Sequence, residues 1–371
     1  MQAKNRTVIL AGHYYCISEI MDKRIIVIGA SAGGFDVIRT LVAGLPPDLN
    51  AAVLIVWHMS PDVHGIMPDV LNRVHTLPAT HAVDGESLLP RHVYVAPPDH
   101  HLLVDNDVIR ITRGPKENRF RPAIDPLFRS AALAYGPGVI GVICSGALDD
   151  GTAGLWTIKQ YGGIAIAQDP AEAQVPSMPE SAIGAVAMDY ILPAAAIAPL
   201  LAKLVTEPLP ATRQTSPDTT LVKGEIDIAM EDAQQSRNVY QEGELSPYTC
   251  PECHGVLSTL LEGGRMRFRC HTGHAYSADS LLSSIGENIE GNLWATIRTI
   301  QESVMLLNHM GDHFAEANET HLAGLYFKKA KEADMRMALV RRAVMNHEQL
   351  SINHIKYQAR RADAERPNAP D

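Results

Sequence analysis

Residues 23–38 read KRIIVIGASAGGFDVI. The run 24–28 is apolar after its first residue, β-branched and too short for a helix, which predicts a strand buried on both faces. Gly29-Ala30-Ser31-Ala32-Gly33-Gly34 then turns the chain into a helix beginning near Phe35. A buried strand that passes through a glycine-rich turn into a helix is the opening unit of an open parallel α/β sheet. The same alternation continues to about Val205, with further strands expected at 52–57, 93–96, 139–144 and 163–167. One hairpin is expected at 101–104 and 108–112, where Asp105, Asn106 and Asp107 supply the turn chemistry.

The chain has 371 residues, which predicts two or three domains. The predicted fold class is α/β: a doubly wound, mostly parallel sheet, followed by a small Cys/His module resembling a zinc ribbon and then an α-helical hairpin. The expected boundaries are a leader at 1–22, the α/β domain at 23–205 and a linker at 206–247, with the Cys/His module at 248–276. A helical hairpin at 277–355 and a disordered tail at 356–371 complete the chain. The linker is rich in Pro, Thr, Ser and acidic residues, and within it 221–230 has the composition of a strand. In the hairpin Ile285, Ile289, Leu293, Ile297, Ile300, Val304 and Leu307 form one apolar stripe. A second helix is expected at 322–350, joined to the first near 308–318.

Composition excludes several classes. Hydrophobic residues are 46% and charged residues 20%, which is ordinary globular usage. The 32 Lys and Arg against 42 Asp and Glu give a formal net charge of −10, which repels a phosphate backbone, so nucleic acid is not an expected partner. The apolar runs near the amino terminus are far shorter than the roughly 20 residues of a membrane span, so no membrane insertion is expected and the cytoplasm is the expected location. Five cysteines, an odd number, make a disulfide framework a poor reading and metal binding a better one.

Ligands of open parallel sheets bind beyond the carboxyl ends of the strands, and three reactive side chains stand at such ends. Ser31 sits in a string that fits G-x-S-x-G, a turn that exposes a serine hydroxyl, although the same glycines suit a phosphate-binding or merely tight turn. His58 follows the second strand and can serve as a general base, against the commoner structural role of a histidine. Asp149 and Asp150 follow the strand 139–144; either can cap the next helix or orient an imidazole. The chain order Ser, His, Asp differs from that of the α/β-hydrolases.

The strings IVIGASAGG (26–34), VLIVWHM (53–59), HVYVAPPDHHL (92–102), RFRPAIDPLFRSAA (119–132), GVICSGALDDGTAGL (141–155) and AIAQDPAEAQVPSMPESAI (165–183) occur in this order. Together they resemble the catalytic domain of the chemotaxis protein-glutamate methylesterase (CheB) family over 23–205. The resemblance implies a serine hydrolase that demethylates glutamate methyl esters on the cytoplasmic helices of chemoreceptors, releasing methanol, with glutamine deamidation as a related activity. It implies no cofactor for the chemistry. Carried over by motif, the nucleophile falls on Ser31, the base on His58 and the triad carboxylate on Asp150, with an oxyanion-hole N–H near Ala147. The family pattern usually has Thr after the serine, Gln before the histidine and G-M-G-N-D-G at the acidic turn; here stand Ala32, Trp57 and Gly146-Ala147-Leu148-Asp149-Asp150-Gly151. The leader is too short for the receiver domain of the family's familiar architecture, so control by such a domain is not expected.

Cys250 and Cys253 form C-x-x-C, and Cys270 and His274 form C-x-x-x-H, with His271 as a rival fourth ligand. Paired thiolate and imidazole ligands at these spacings predict a structural Zn2+ site. Similar Cys/His tails occur on some receiver-less members of the family. The competing reading of the whole chain is a non-catalytic adaptor that docks on receptors through the esterase fold and the helical tail. For that tail a protein partner is expected from its apolar stripe and from Lys328, Lys329, Arg336, Arg341 and Arg342. Nucleotide binding at Gly29–Gly34 is the weakest reading, because the G-x-G-x-x-G spacing is missing.

Overall fold

The structure, a computed structural model, describes residues 23–59, 65–73, 76–209, 219–231 and 243–348, with 350, 355, 358 and 359. The leader 1–22, the segments 210–218 and 232–242 of the expected linker, and all of the tail 356–371 except 358 and 359 lie outside the described residues. In chain order the elements are β1 (Arg24–Ala30), α1 (Gly34–Ala43), β2 (Ala51–Trp57), α2 (Met67–Asn72), β3 (Ala79–His81), β4 (Val93–Val95), β5 (His101–Asp105), β6 (Val108–Thr112) and α3 (Ile124–Tyr135). There follow β7 (Val139–Ile143), α4 (Thr152–Gln160), β8 (Ile164–Gln168), α5 (Ser177–Ala185), β9 (Tyr190–Leu192), α6 (Ala194–Thr206) and α7 (Thr219–Ala229). The remaining elements are β10 (Glu244–Thr249), β11 (Val256–Glu262), β12 (Arg265–Cys270), β13 (Ala275–Ser277), α8 (Ala278–Glu316) and α9 (Thr320–Met345).

Seven strands form one parallel sheet in the order β3-β4-β2-β1-β7-β8-β9. Side chains of β1 alternate between two apolar layers, as the period of 2 requires. Ile25 and Val27 pack with Leu127 and Phe128 of α3, Leu155 of α4 and Met178 of α5. Ile26 and Ile28 pack with Ile38 and Leu41 of α1, Leu71 of α2 and Leu201 of α6. The sheet is therefore doubly wound, as the unbroken apolar runs predict. Its strand order reverses between β1 and β7, which opens a crevice beyond their carboxyl ends. The expected hairpin forms as the antiparallel pair β5-β6.

Two local expectations fail, one in the expected linker and one in the helical hairpin. The segment read as a strand at 221–230 is largely helix α7, because Val222, Glu225, Ile226 and Ala229 recur at helical spacing and are buried on one face. The Cys/His segment folds as a four-stranded antiparallel sheet, β10-β11-β12-β13.

The chain falls into two compact units, Met1–Ser277 and Ala278–Asp371, and the Cys/His sheet lies in the first. In the second, α8 runs on to Glu316 rather than ending near 308. Gly311, a residue that reads as a breaker, makes room for α9: a Cβ there would stand 2.5 Å from the Phe327 ring. The helix ends where Asn318 takes a left-handed φ of 61° and Glu319 N–H bonds Phe314 C=O at 2.8 Å. No helix among the described residues is long and apolar enough to cross a membrane.

Candidate active site

β1, β2 and β7 lie side by side, and the turns after their carboxyl ends bring Ser31, His58 and Asp150 together. Ser31 is held by its backbone: its N–H donates to Ser145 C=O at 3.0 Å, and its C=O accepts from Gly34 N–H at 2.9 Å. Gly33, at φ 72°, provides the left-handed step that makes this turn tight enough to start α1. The Trp57 indole N–H also donates to Ser31 C=O, at 2.9 Å, which adds a second donor to the turn.

His58 bridges the other two groups. Its Nδ1 is 3.1 Å from Ser31 Oγ and its Nε2 is 2.8 Å from Asp150 Oδ2. Asp150, a carboxylate acceptor, requires the proton on Nε2, which leaves the Nδ1 lone pair facing the serine hydroxyl. In the chymotrypsin template the same duties fall on the opposite nitrogens. The Phe120 ring stacks on the imidazole, with centroids 3.7 Å apart and planes 12° from parallel, so that ring rotation is blocked from one side.

Asp150 is fully buried and its carboxylate meets three donors: His58, the Ile124 N–H at 2.6 Å and Asn118 Nδ2 at 2.8 Å. The Ile124 N–H opens α3, where the helix dipole favours an anion. Burial pushes the Asp150 carboxyl up, but the hydrogen bond and charge of His58, then the Ile124 and Asn118 bonds, outweigh it, and the group lies below its usual range. Asp150 is thus an anion where an imidazolium would form. The Asp150 side chain is spent on His58, Ile124 and Asn118, while the Asp149 side chain accepts from Ser277 Oγ at 2.6 Å.

Gly146 lies against the nucleophile: a Cβ there would stand 2.9 Å from Ser31 Cβ and 2.7 Å from Met178 Sδ. Among the described residues the N–H groups of Ala32 and Ala147 have no hydrogen-bond partner, whereas that of Ser31 is taken by Ser145. Ala32 follows the serine directly in sequence, and Ala147 follows Gly146, which lies against Ser31 Cβ.

Sequence reasoning passed over Asn118, Phe120 and Arg129. Arg129 is the largest fully buried side chain and bonds Glu117 at 2.9 Å and Glu262 at 3.3 Å. With Arg267, Arg269, Asp125 and Glu225 these groups form one buried charge network joining α3, α7 and the Cys/His sheet. A lone arginine in the mostly apolar string PLFRSAALAY was the available signal.

In that sheet the ligand atoms of Cys250, Cys253, Cys270 and His274 all lie within 4.8 Å of one another. Cys253 and Cys270 Sγ are 3.6 Å apart, and His274 Nδ1 is 3.5 Å from Cys270 Sγ and 3.7 Å from Cys250 Sγ. Tetrahedral zinc, with bonds of about 2.3 Å to sulfur and 2.0 Å to nitrogen, sets such atoms roughly 3.5–3.8 Å apart, so the donors fit that ion. The Thr272 hydroxyl, 3.0 Å from Cys270 Sγ, sits over the same cluster. His271, the rival ligand, packs beside Gly255 and is not in the cluster.

A family described as CheB methylesterase matches residues 26–201. A relative from Leptospira interrogans serogroup Icterohaemorrhagiae, named "putative protein-glutamate methylesterase/protein-glutamine glutaminase", is 38% identical over 185 residues, which are 50% of this chain and 96% of the relative. This chain belongs to the CheB methylesterase family. It is an enzyme of the methylesterase class. A second relative of the family, protein-glutamate methylesterase/protein-glutamine glutaminase 3 of Burkholderia lata, is 40% identical over 192 residues, 50% of this chain and 53% of its own. The crystal structure of the Thermotoga maritima CheB methylesterase catalytic domain is 36% identical, with a TM-score of 0.48, over 49% of this chain and 99% of that one. The β10–β13 sheet and the helical unit lie beyond the matched residues.

Proposed function

We propose that the chain hydrolyses glutamate methyl esters on chemoreceptor helices through Ser31, His58 and Asp150, and deamidates glutamine by the same route. The observation that carries this reading is the buried imidazole of His58 bridging a serine hydroxyl and a carboxylate anion. His58 Nδ1 takes the proton from Ser31 Oγ as the oxygen bonds the side-chain carbonyl carbon, and Asp150 holds Nε2–H and stabilises the imidazolium. The carbonyl oxygen becomes an oxyanion facing the N–H groups of Ala32 and Ala147. As the carbonyl re-forms, the C–O bond to the methoxy group breaks and His58 returns the proton, releasing methanol, or ammonia from glutamine. Water, deprotonated by the same nitrogen, then cleaves the acyl-serine.

In the Cys/His sheet we assign Cys250, Cys253, Cys270 and His274 as the ligands of a structural zinc, the donor set being closed and tetrahedral in spacing. When bound, the ion would cross-link β10 to β12 and β13; no step of the ester chemistry involves it.

The esterase reading is tested by mixing the full chain with a short peptide carrying a glutamate methyl ester, quenching within one turnover and mapping the adduct by mass spectrometry. An acyl group on the peptide containing Ser31 is expected. Turnover with the acyl group on another residue, or ligand binding without turnover, contradicts it, the latter favouring the adaptor.

A further inference from the structure

The loop that leads into α3 is gripped from two sides. Asn118, buried, donates through Nδ2 to Asp150 Oδ1 at 2.8 Å and to Asp125 Oδ2 at 3.0 Å, and its Oδ1 accepts from the Ser277 N–H of β13 at 3.0 Å. These partners fix the amide orientation, since two carboxylates require the NH2 and one N–H requires the oxygen. The backbone is paired as well: Asn118 N–H donates to Ala275 C=O at 2.8 Å, and Ala275 N–H donates to Lys116 C=O at 3.1 Å. Asn118 and Arg119 both have left-handed φ, 49° and 79°. Asparagine tolerates that region and arginine seldom enters it, so the pairing with β13 holds a conformation the loop would not choose alone. Two more links run from the same sheet, Arg267 Nη1 to Asp125 Oδ2 at 2.9 Å and Ser277 Oγ to Asp149. Arg267 and Ser277 both lie beyond residues 26–201.

We infer that Asn118 is a positioning residue for the Asp150 carboxylate and that strand β13 sets Asn118, which makes the Cys/His sheet a working part of the esterase site. This rests on the reading of Ser31, His58 and Asp150 given above. The physical reason is rotation. His58 and Ile124 N–H both bond Oδ2, so Oδ1 is the oxygen that decides the plane of the carboxylate, and the terminal torsion of an aspartate is otherwise broad. With Oδ1 released, the carboxylate turns and the imidazole loses its fixed direction toward Ser31. A misplacement of about 1 Å in such a site costs on the order of 100-fold in rate.

The test uses the full chain. Asn118→Gly removes the amide but suits the left-handed backbone, preserving the bond to Ala275. The expected result is a fall in kcat of roughly 10- to 100-fold on a soluble glutamate methyl ester with KM unchanged. The low-field proton resonance of the His58–Asp150 hydrogen bond is expected to move, and Asn118→Gly is expected to add no further loss in an Asp150→Ala background. Wild-type kcat with an unmoved resonance, or the same fold loss in both backgrounds, overturns the inference. If the glycine variant does not fold, Asn118→Ser, whose hydroxyl is too short to reach both carboxylates, is judged by the same outcomes. Failure of the esterase reading shows separately, as turnover by the wild-type chain that does not depend on Ser31, while the proton resonance still reads the positioning.

Discussion

Replacing Asp150 by Asn changes one oxygen to an NH2 and leaves the shape alone, yet the site has no orientation that accepts the change. If the amide oxygen takes the Oδ2 place, it satisfies Ile124 N–H and His58, but its NH2 then faces the Asn118 NH2 that now bonds Oδ1 at 2.8 Å. If the amide turns over, its NH2 faces both the Ile124 N–H and His58 Nε2. The imidazole must then accept at Nε2 and carry its proton on Nδ1, the nitrogen 3.1 Å from Ser31 Oγ, where a base is needed. The first orientation leaves a donor clash of about 1–3 kcal/mol. The second removes the base, and the equivalent change in the chymotrypsin triad costs about 10⁴ in kcat, or roughly 5.5 kcal/mol of barrier. Each orientation leaves one buried donor–donor contact, with Asn118 in the first and with the Ile124 N–H in the second, and both lose the anion that stabilises the imidazolium, so Asp150→Asn is expected to lose about 10³- to 10⁴-fold in kcat, measured as methanol release from a soluble glutamate methyl ester. Asp149→Asn, which disturbs a bond to Ser277 Oγ and touches neither His58 nor Ser31 through it, is expected to lose far less. A loss under about tenfold for Asp150→Asn, or a larger loss for Asp149→Asn, refutes the assignment.

Gly146→Ala places a methyl 2.9 Å from Ser31 Cβ; Met178 can yield but the nucleophile's backbone cannot, so kcat is expected to fall about 100-fold while circular dichroism stays that of wild type. Arg129→Met removes one buried cation from a network in which Glu117 keeps Arg267 and Arg269 and Glu262 keeps Arg267, leaving an excess buried negative charge, and urea unfolding is expected to show a loss of roughly 3–5 kcal/mol; a neutral result contradicts the buried network. Elemental analysis of the full chain is expected to find one zinc per chain, lost in Cys253→Ser but retained in His271→Ala; the reverse pattern contradicts the ligand set.

The sequence made β1, β2, β7 and β8 legible because strands buried on both faces are written as unbroken Val, Ile and Ala runs. It hid β3 and β9, the sheet edges, which have three residues each and carry no period. It misled at α7, where Val222 and Ile226 are β-branched but stand four residues apart on one helical face. Ser31, His58 and Asp150 could be found because strand ends are where a parallel sheet displays side chains, and their nearness follows from strand order alone. The nitrogen that faces the serine could not be found, since it depends on which side of the ring each turn approaches. Asn118 and Phe120 were hidden for a related reason: their places are set by left-handed backbone at Asn118 and Arg119 that β13, far along the chain, holds in position.

The most direct test of the proposed chemistry is methanol release from methylated chemoreceptor helices by the full chain and by Ser31→Ala, compared at equal concentration with folding checked. Wild-type chain is expected to release methanol, and Ser31→Ala to release it on the order of 10⁵- to 10⁶-fold more slowly, the loss seen when a triad serine is removed. Equal release by the two would contradict a serine mechanism at this site.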